Sequence, residues 1–535
     1  MVVASLFWTV AFNGAFFSAL TRDRQPSDPA AWGLVLALAG ALWALNLLIA
    51  GVLSNRHTVK PIVALLTLAA AAGSWYVDSY GVTLDPSMMR NVVHTHVAEI
   101  RELLNLRLAW HLTLFLGLPL LLLMRVDVAQ QPLRRALPRR LALLVGALLA
   151  LVALVWSVFQ PVSSLMRNQR ELRYLVTPAN LLWSTGSVLA ADARGATKPR
   201  EAIGLDARAG ASWPSRTRPL VVVLVVGETA RAANWGLSGY ARQTTPELAS
   251  ADVINFTDVT SCGTNTEVSL PCMFAPVGRR SHDDARIRGQ QSLLHVLSRA
   301  GVGIDWRDNQ SGCKGVCDGL PTRTIDRASA PALCDGDRCL DEALTLDLAQ
   351  RLKQARGSQL WVLHMLGNHG PSYYRRYPPA FARFQPDCRE DDLHKCTTAQ
   401  VVNAYDNALL YTDHVLASAL RTLQAASADV DTALLYVSDH GESLGEHGLF
   451  LHGLPYPIAP EVQKRVPMVW WNSAGFDRAI GLDAGCLSAA MASQARKPVT
   501  HDHLFHTLLG ALDVRTALHE PKLDLTQPCR APKAL

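Results

Sequence analysis

Between Cys262 and Cys272 the chain reads Ser261-Cys-Gly-Thr-Asn-Thr-Glu-Val-Ser-Leu-Pro-Cys-Met-Phe274, and three hydroxyls, on Thr264, Thr266 and Ser269, lie inside that interval. A disulfide closing so short a loop would hold one hydroxyl rigidly, as a nucleophile requires. A cross-linked surface loop explains the two cysteines as well. A threonine hydroxyl attacks poorly at neutral pH, so the chemical reading needs a base or a metal from elsewhere. Three stretches offer one: Gly227-Glu228-Thr229, Gly367-Asn-His369-Gly370 and Ser438-Asp439-His440-Gly441. Singly, Glu228 reads as a helix-cap neighbour, His369 as a loop residue and Asp439 as a turn former. Together, two carboxylates, imidazoles and a clamped threonine form a set suited to zinc, which takes oxygen and nitrogen ligands tetrahedrally. A threonine oxygen on zinc is poised for attack on phosphorus or sulfur.

The elements that must position these groups are legible too. Pro219–Thr229 opens with a continuous β-branched apolar run without alternation, the pattern of a strand buried on both faces of a parallel sheet, and the same format, an apolar run ending in a potential metal ligand, recurs at Gln359–Gly370 and Thr432–Glu442. Functional groups gather at the carboxyl ends of such strands, so Glu228, His369, Asp439 and His440 are expected to converge. Helical patterns at Ser292–Ala300, Leu340–Ala355 and Thr398–Leu423 supply the crossovers.

The chain has 535 residues, 49% of them hydrophobic, and its composition changes near residue 160. Before that point, apolar runs at Val3–Leu20, Trp32–Leu53, Pro61–Tyr76, Leu108–Met124 and Leu141–Phe159 approach the length needed to cross about 30 Å of hydrocarbon. Five spans are expected, the first an anchor rather than a cleaved signal, since no basic residue precedes it and no small-residue cleavage site follows. Five arginines in Arg125–Arg140, with Arg56 and Lys60 in the other short loop on that side, mark the cytoplasmic face. Everything after Phe159 then lies outside the cytoplasm. The ten cysteines agree: all follow residue 261, in close pairs, as disulfides of an oxidising compartment do. Zinc ribbons at Cys313-x3-Cys317 and Cys334-x4-Cys339 lack a completing Cys/His pair at usual spacing. Loop-closure entropy favours Cys262–Cys272, Cys313–Cys317, Cys334–Cys339 and Cys388–Cys396, leaving Cys486–Cys529, although spacing alone does not fix connectivity. The net charge of +6 suits an anionic membrane surface, and no basic stripe suggests nucleic acid.

Three regions divide the chain: 1–160 in the membrane with a polar loop at 78–107, 161–218 as interfacial helix and linker, and 219–535 as the external α/β domain. If Met88–Leu106 is one helix, Asn91, Thr95 and Glu99 form a polar stripe, which serves a solvated face or a lipid headgroup equally. Ser163–Ser184 is amphipathic, and Ala190–Arg218 reads as linker.

At this point the motifs Gly227-Glu-Thr-Ala-Arg231, Cys262-Gly-Thr-Asn-Thr266, Pro271-Cys-Met-Phe274, Asn368-His-Gly-Pro371, Ser438-Asp-His-Gly-Glu-Ser-Leu-Gly445 and Leu451-His-Gly-Leu-Pro455 resemble the lipid A phosphoethanolamine transferases, including the mobile colistin-resistance enzymes. The resemblance runs in order over nearly the whole chain, to Thr500-His-Asp-His-Leu-Phe-His-Thr-Leu-Leu509. It implies an alkaline-phosphatase-like domain, a mostly parallel sheet flanked by helices, on five transmembrane helices of a bacterial inner membrane. It implies Thr266 as nucleophile, one tightly held zinc at Glu228, Thr266, Asp439 and His440, and His369 and His452 serving the substrate phosphate, a second zinc or the leaving group. It places Asn91, Thr95 and Glu99 at the ethanolamine headgroup, and Asn309 and Lys314 where the phosphate or acceptor is held. Phosphatidylethanolamine would be donor and lipid A acceptor for a chain acting as a monomer, with polymyxin resistance as the outcome. A core sugar or a periplasmic glucan as acceptor, or phosphoglycerol as the group moved, remains open within the same fold. A sulfatase-type hydrolase would need no membrane anchor, and a tethered sensor would have lost the nucleophile or ligands that are present here. Two features depart from the family pattern: Cys313 and Cys317 flank Lys314, and Glu267 puts a negative charge directly beside the nucleophile.

Overall fold

The computed structural model describes residues 1–21, 29–95, 97–128, 131–159, 161–162, 166, 170–196, 199–336 and 338–530. Two compact units form, one from 1–93 with 104–193, the other from 94–103 with 194–535.

In the first unit, Ala31–Leu53, Val59–Tyr80, Leu106–Arg125 and Arg134–Ser157 are long and apolar enough to cross a membrane. The run expected as the first span is instead two helices, Val2–Ala11 and Gly14–Thr21, bent by 54°, so the count is four, or five if that pair is one span. The bend falls at Asn13, whose side-chain amide donates to Trp8 O (2.9 Å) and Thr177 O (3.0 Å) while its Oδ1 accepts from Thr177 N (2.9 Å). Those bonds tie the break to the backbone of Thr177 and leave the Asn13 amide satisfied, as an apolar surrounding demands. Polar pairs also join helices: the Trp8 indole donates to Thr67 Oγ1 (2.9 Å) and the Asn46 amide to Thr9 Oγ1 (3.0 Å).

The single helix expected over Met88–Leu106 does not form. Helices Pro86–Val93 and Val97–Leu103 flank a non-helical His94–Thr95, where a run of β-branched residues, Val92, Val93, Thr95 and Val97, weakens helix propensity. Of the expected interfacial helix, 163–165 and 167–169 lie outside the described residues; a 3-10 turn at Arg170–Leu175 and a helix at Ala179–Ala196 follow. The stretch read as linker is thus helical to Ala196, and Arg208–Ala209 pairs antiparallel with Val514–Arg515.

The second unit is built on a seven-stranded sheet. In chain order its strands are β1 (Leu220–Gly227), β2 (Ile254–Phe256), β3 (Gly303–Asp308), β4 (Thr322–Thr324), β5 (Ser358–His364), β6 (Asp431–Ser438) and β7 (Met468–Asn472). Their order across the sheet is β2-β7-β6-β1-β5-β3-β4. β6, β1, β5, β3 and β4 run parallel, and β7 and β2 add antiparallel at one edge. β1 is buried throughout: Leu220, Val222, Leu224 and Val226 enter one core, Val221, Val223 and Val225 the other. Two apolar layers explain why the run does not alternate. The second layer is led by α2 (Thr398–Ala426), a 29-residue helix opened by a capping box between Thr397 and Gln400. The ten cysteines pair as Cys262–Cys272, Cys313–Cys317, Cys334–Cys339, Cys388–Cys396 and Cys486–Cys529.

Candidate active site

β1 and β6 are neighbours in register, Gly227 opposite Ser438, so the residues that follow, Glu228 and Asp439, emerge side by side. The bend after β1 is tight. Gly227 has no room for a Cβ, which would lie 2.6 Å from the Tyr436 ring, and Thr229 takes φ +52°. Such a backbone persists only where neighbours impose it. Here Thr229 O accepts from Tyr405 Oη of α2 (2.6 Å), and the Tyr405 hydroxyl accepts from Arg231 N (2.9 Å).

Thr266 begins α1 (Thr266–Met273), whose N-cap Asn265 accepts from Val268 N at 3.0 Å. Pro271 has no N–H for the carbonyl of Glu267 one turn earlier, and Arg288 takes that carbonyl instead. The Cys262–Cys272 bridge ties the loop before the helix to its last turn. His501, in the C-terminal histidine segment, fastens the same loop from behind: Nδ1 accepts from Cys262 N (3.0 Å), so Nε2 carries the proton and donates to Ser438 O (3.0 Å). Burial lowers His501 to about 3, keeping it neutral.

Thr266 Oγ1 lies 3.0 Å from Glu228 Oε2, 3.3 Å from Glu228 Oε1 and 3.4 Å from His440 Nε2. His440 Nε2 is 3.1 Å from Glu228 Oε1 and 3.4 Å from Asp439 Oδ2, and all four side chains are buried. His440 Nδ1 donates to Gly441 O (2.9 Å), which aims the other ring nitrogen at the carboxylates. Burial raises the Asp439 carboxyl, and the charge of Glu228 adds to the rise, to about 7. Burial acts against charge on His440, yet Asp439 and Glu228 outweigh it and push the imidazole up to about 10. Burial would also raise Glu228, but the hydrogen bond and charge of His440 hold it below the usual carboxylate range. The geometry therefore asks for positive charge between these groups. Glu228, Asp439 and His440 have ligand atoms within 4.8 Å of one another, and the buried Asp439 Oδ2 has no hydrogen-bond donor among the described residues. An oxygen–nitrogen set of this kind fits a divalent cation such as zinc.

His452 and His369 stand beside this cluster, with ring centroids 4.4 Å (His440–His452) and 5.4 Å (His369–His452) apart. His452 Nδ1 donates to Glu442 Oε2 (2.7 Å), and Tyr373 Oη donates to Glu442 Oε1 (2.6 Å). Burial keeps His452 below its ordinary value. Lys314 Nζ lies 3.0 Å from Glu267 Oε1 and donates to Ser311 Oγ (2.8 Å). Arg288 Nη1 (3.7 Å) and His94 Nδ1 (3.6 Å) also face Glu267, so the charge that looked misplaced beside the nucleophile is met by the Lys314 ammonium and the Arg288 guanidinium. Asn309 does not point at Thr266: its amide donates to Cys339 O (2.9 Å) and Asp341 Oδ1 (2.8 Å). Its neighbour Gln310 does reach the cluster, donating to Glu228 Oε2 at 3.0 Å. Asn91 lies on Pro86–Val93, Thr95 in the non-helical turn and Glu99 on Val97–Leu103, with its side chain outside the described residues, so no common helical face joins the three. Sequence reasoning missed Gln310, Glu442, Tyr373 and His501. The Asp-His-Gly-Glu and His-Asp-His spacings were visible signals for Glu442 and His501; nothing local marked Gln310 or Tyr373.

A family profile described as Sulfatase matches residues 221–514, and one described as phosphoethanolamine transferase EptA/EptB matches 42–193. The chain is 36% identical to phosphoethanolamine transferase EptA of Escherichia coli strain K12, over 99% of this chain and 96% of that protein. It is 38% identical to phosphatidylethanolamine transferase Mcr-1 of Escherichia coli, over 96% and 95%. The solved integral membrane protein lipooligosaccharide phosphoethanolamine transferase A from Neisseria meningitidis matches with a TM-score of 0.92 at 33% identity, covering 99% of this chain and 98% of that one. With its helical membrane region, its alkaline-phosphatase-like sheet and full-length relatives above 30% identity, the chain belongs to the EptA/Mcr family of phosphoethanolamine transferases.

Proposed function

We infer that this transferase moves phosphoethanolamine from phosphatidylethanolamine to a phosphate group of lipid A, at the periplasmic face of the inner membrane, through a phosphothreonine at Thr266. The observation that carries this reading is the Thr266 hydroxyl, fixed at a helix N-terminus and hydrogen-bonded to Glu228 among Asp439 and His440. A zinc ion held by Glu228, Asp439, His440 and Thr266 supplies Lewis acidity for charge developing on oxygen during transfer. Thr266 Oγ1 attacks the donor phosphorus as its proton leaves along the hydrogen bond to Glu228. The phosphorus–oxygen bond to diacylglycerol breaks, and His369 or His452 gives the departing oxygen its proton. Where His452 is the acid, it acts as the imidazolium: Glu442 accepts its Nδ1–H and supports the positive ring, and the Nε2–H is the proton that moves. Lys314 offers its ammonium to the donor phosphate, and the positive end of the α1 dipole favours the same anion. In the second step an oxygen of a lipid A phosphate attacks the phosphothreonine, the bond from phosphorus to Thr266 Oγ1 breaks, and Thr266 regains its proton along the hydrogen bond from Glu228. The added ammonium offsets lipid A charge, so the product should weaken binding of polymyxin and other cationic peptides. The disulfides support an oxidising compartment for this half.

The test is mass spectrometry of lipid A from cells expressing the chain or its Thr266→Ala form at matched membrane levels. The phosphoethanolamine increment should appear with the first and be absent with the second. An unmodified lipid A in both, with another cell-envelope glycolipid or glucan gaining the group, would move the acceptor elsewhere.

A further inference from the structure

Beside the cluster, but outside it, lies a cleft of about 400 Å³ whose walls include Glu102, Asn309, Gln310, Arg327, Arg338 and Arg376. Its volume is in the range of small-molecule sites. Its chemistry is unusual for a structural gap. Glu102, 1% exposed, is shared by two guanidiniums: Arg376 Nη2 at 2.7 Å and Arg338 Nε at 2.7 Å. Arg376 is 1% exposed itself; its Nε donates to His369 O (2.7 Å), and its Nη1 has no hydrogen-bond partner among the described residues. A buried guanidinium with an idle donor is costly unless a ligand completes it. Arg327 adds a third cation at the exposed rim. Among the acids at hand, Asp326 is engaged by Ser329 N (2.8 Å), and Asp341 by Asn309 and the backbone N–H groups of Leu366 and Gly367 (each 2.8 Å). The cleft therefore presents donors that call for an anion.

We propose that this cleft seats a phosphorylated sugar, the anionic headgroup of the acceptor glycolipid, held by Arg376, Arg338 and Arg327. It rests on the lipid A reading only in naming which glycolipid that is. The donor fits less well, because its headgroup carries an ammonium that three guanidiniums would repel, and its phosphorus must sit over Thr266. Two side chains connect the cleft to the chemistry. Gln310 lines the wall and donates to Glu228 Oε2, while Arg376 holds the backbone of His369. A phosphate bound in the cleft thus stands next to the groups that receive it.

The experiment uses the full-length protein in detergent with N-acetylglucosamine 1-phosphate as probe, which carries the phosphate without an ammonium, followed by ligand-observed NMR, with N-acetylglucosamine as the control lacking phosphate. Arg327→Ala changes only an exposed side chain, and Arg338→Gln leaves the Glu102–Arg376 pair in place; unchanged bound-metal content reports that each is folded. Losing one charge-assisted contact should weaken probe binding roughly tenfold in each variant. In transfer assays the same variants should raise KM for lipid A by a similar factor and leave KM for phosphatidylethanolamine unchanged. Equal probe binding by wild type and variants, or a rise in the donor's KM alone, overturns the proposal. If the wild type binds the probe through these arginines yet never modifies lipid A, the acceptor reading fails while the sugar-phosphate seat stands.

Discussion

Glu267 gives the sharpest quantitative test, because its side chain is 2% exposed and that of its partner Lys314 is 5% exposed, 3.0 Å apart. Removing one member of a buried pair leaves the other as an uncompensated charge, in general about 3–5 kcal/mol. Two features reduce that figure for Glu267→Gln. Lys314 Nζ keeps Ser311 Oγ at 2.8 Å and Ser311 O at 3.2 Å, and glutamine still offers an acceptor. The loss should then fall to about 1–3 kcal/mol. Lys314→Met strands Glu267 with Arg288 and His94 at 3.7 and 3.6 Å, contacts too long to replace the ammonium. Each single change should lower the Tm of the full-length protein in detergent, followed by tryptophan fluorescence. Because the partners touch, the double variant should lose less than the sum, by about 1–3 kcal/mol of coupling. Donor KM should rise in both single variants with metal content unchanged. Additive Tm losses would show that Glu267 and Lys314 do not act as a pair.

Asp413, on α2, accepts from Glu247 N (2.8 Å) and Leu248 N (2.9 Å), yet burial raises its carboxyl to about 7. Its folded value exceeds the ordinary 3.8, so its contribution is full below about pH 4 and lost as pH climbs to about 7; Asp413→Asn should flatten the Tm profile across that window. His501→Ala leaves the buried Cys262 N–H and Ser438 O without partners, at about 1–3 kcal/mol each, and should cut activity by freeing the loop before Thr266. Opening Cys486–Cys529, which spans 43 residues, should cost about 4 kcal/mol on the chain-entropy account, seen as a lowered Tm in the double serine variant.

How much of this was legible in the sequence follows from how each group is held. Glu228, Asp439 and His440 directly follow strands buried on both faces, and an uninterrupted apolar run is a strong local signal. The short disulfides were legible for a similar reason, since loop closure is a local cost. The condition for a stripe through Asn91, Thr95 and Glu99, one helix over Met88–Leu106, is not met, because β-branched residues interrupt the helix that a four-residue spacing assumes. The bend within the first apolar run left no local mark, because the polar contacts at Asn13 come from Thr177, far along the chain. Gln310 and Tyr373 reach the centre from loops, where side-chain direction depends on tertiary packing and leaves no periodic trace.

The one-to-one register of β1 with β6 has a consequence for how variation at this enzyme should be distributed. A slip of one residue between those strands would turn Glu228 away from Asp439 and send every apolar side chain of the run to the opposite layer. No half-working version of that arrangement exists, so substitutions that disturb it should give inactive protein rather than slow protein. The arginine-lined cleft instead draws its side chains from several short elements and loops, none of which depends on a single strand register. In a library of random variants, changes near the strand ends should therefore sort into two classes, active and dead, whereas changes around residues 324–339 should yield a continuum. That continuum is the material from which a new acceptor preference could be selected while the reaction centre stays as it is.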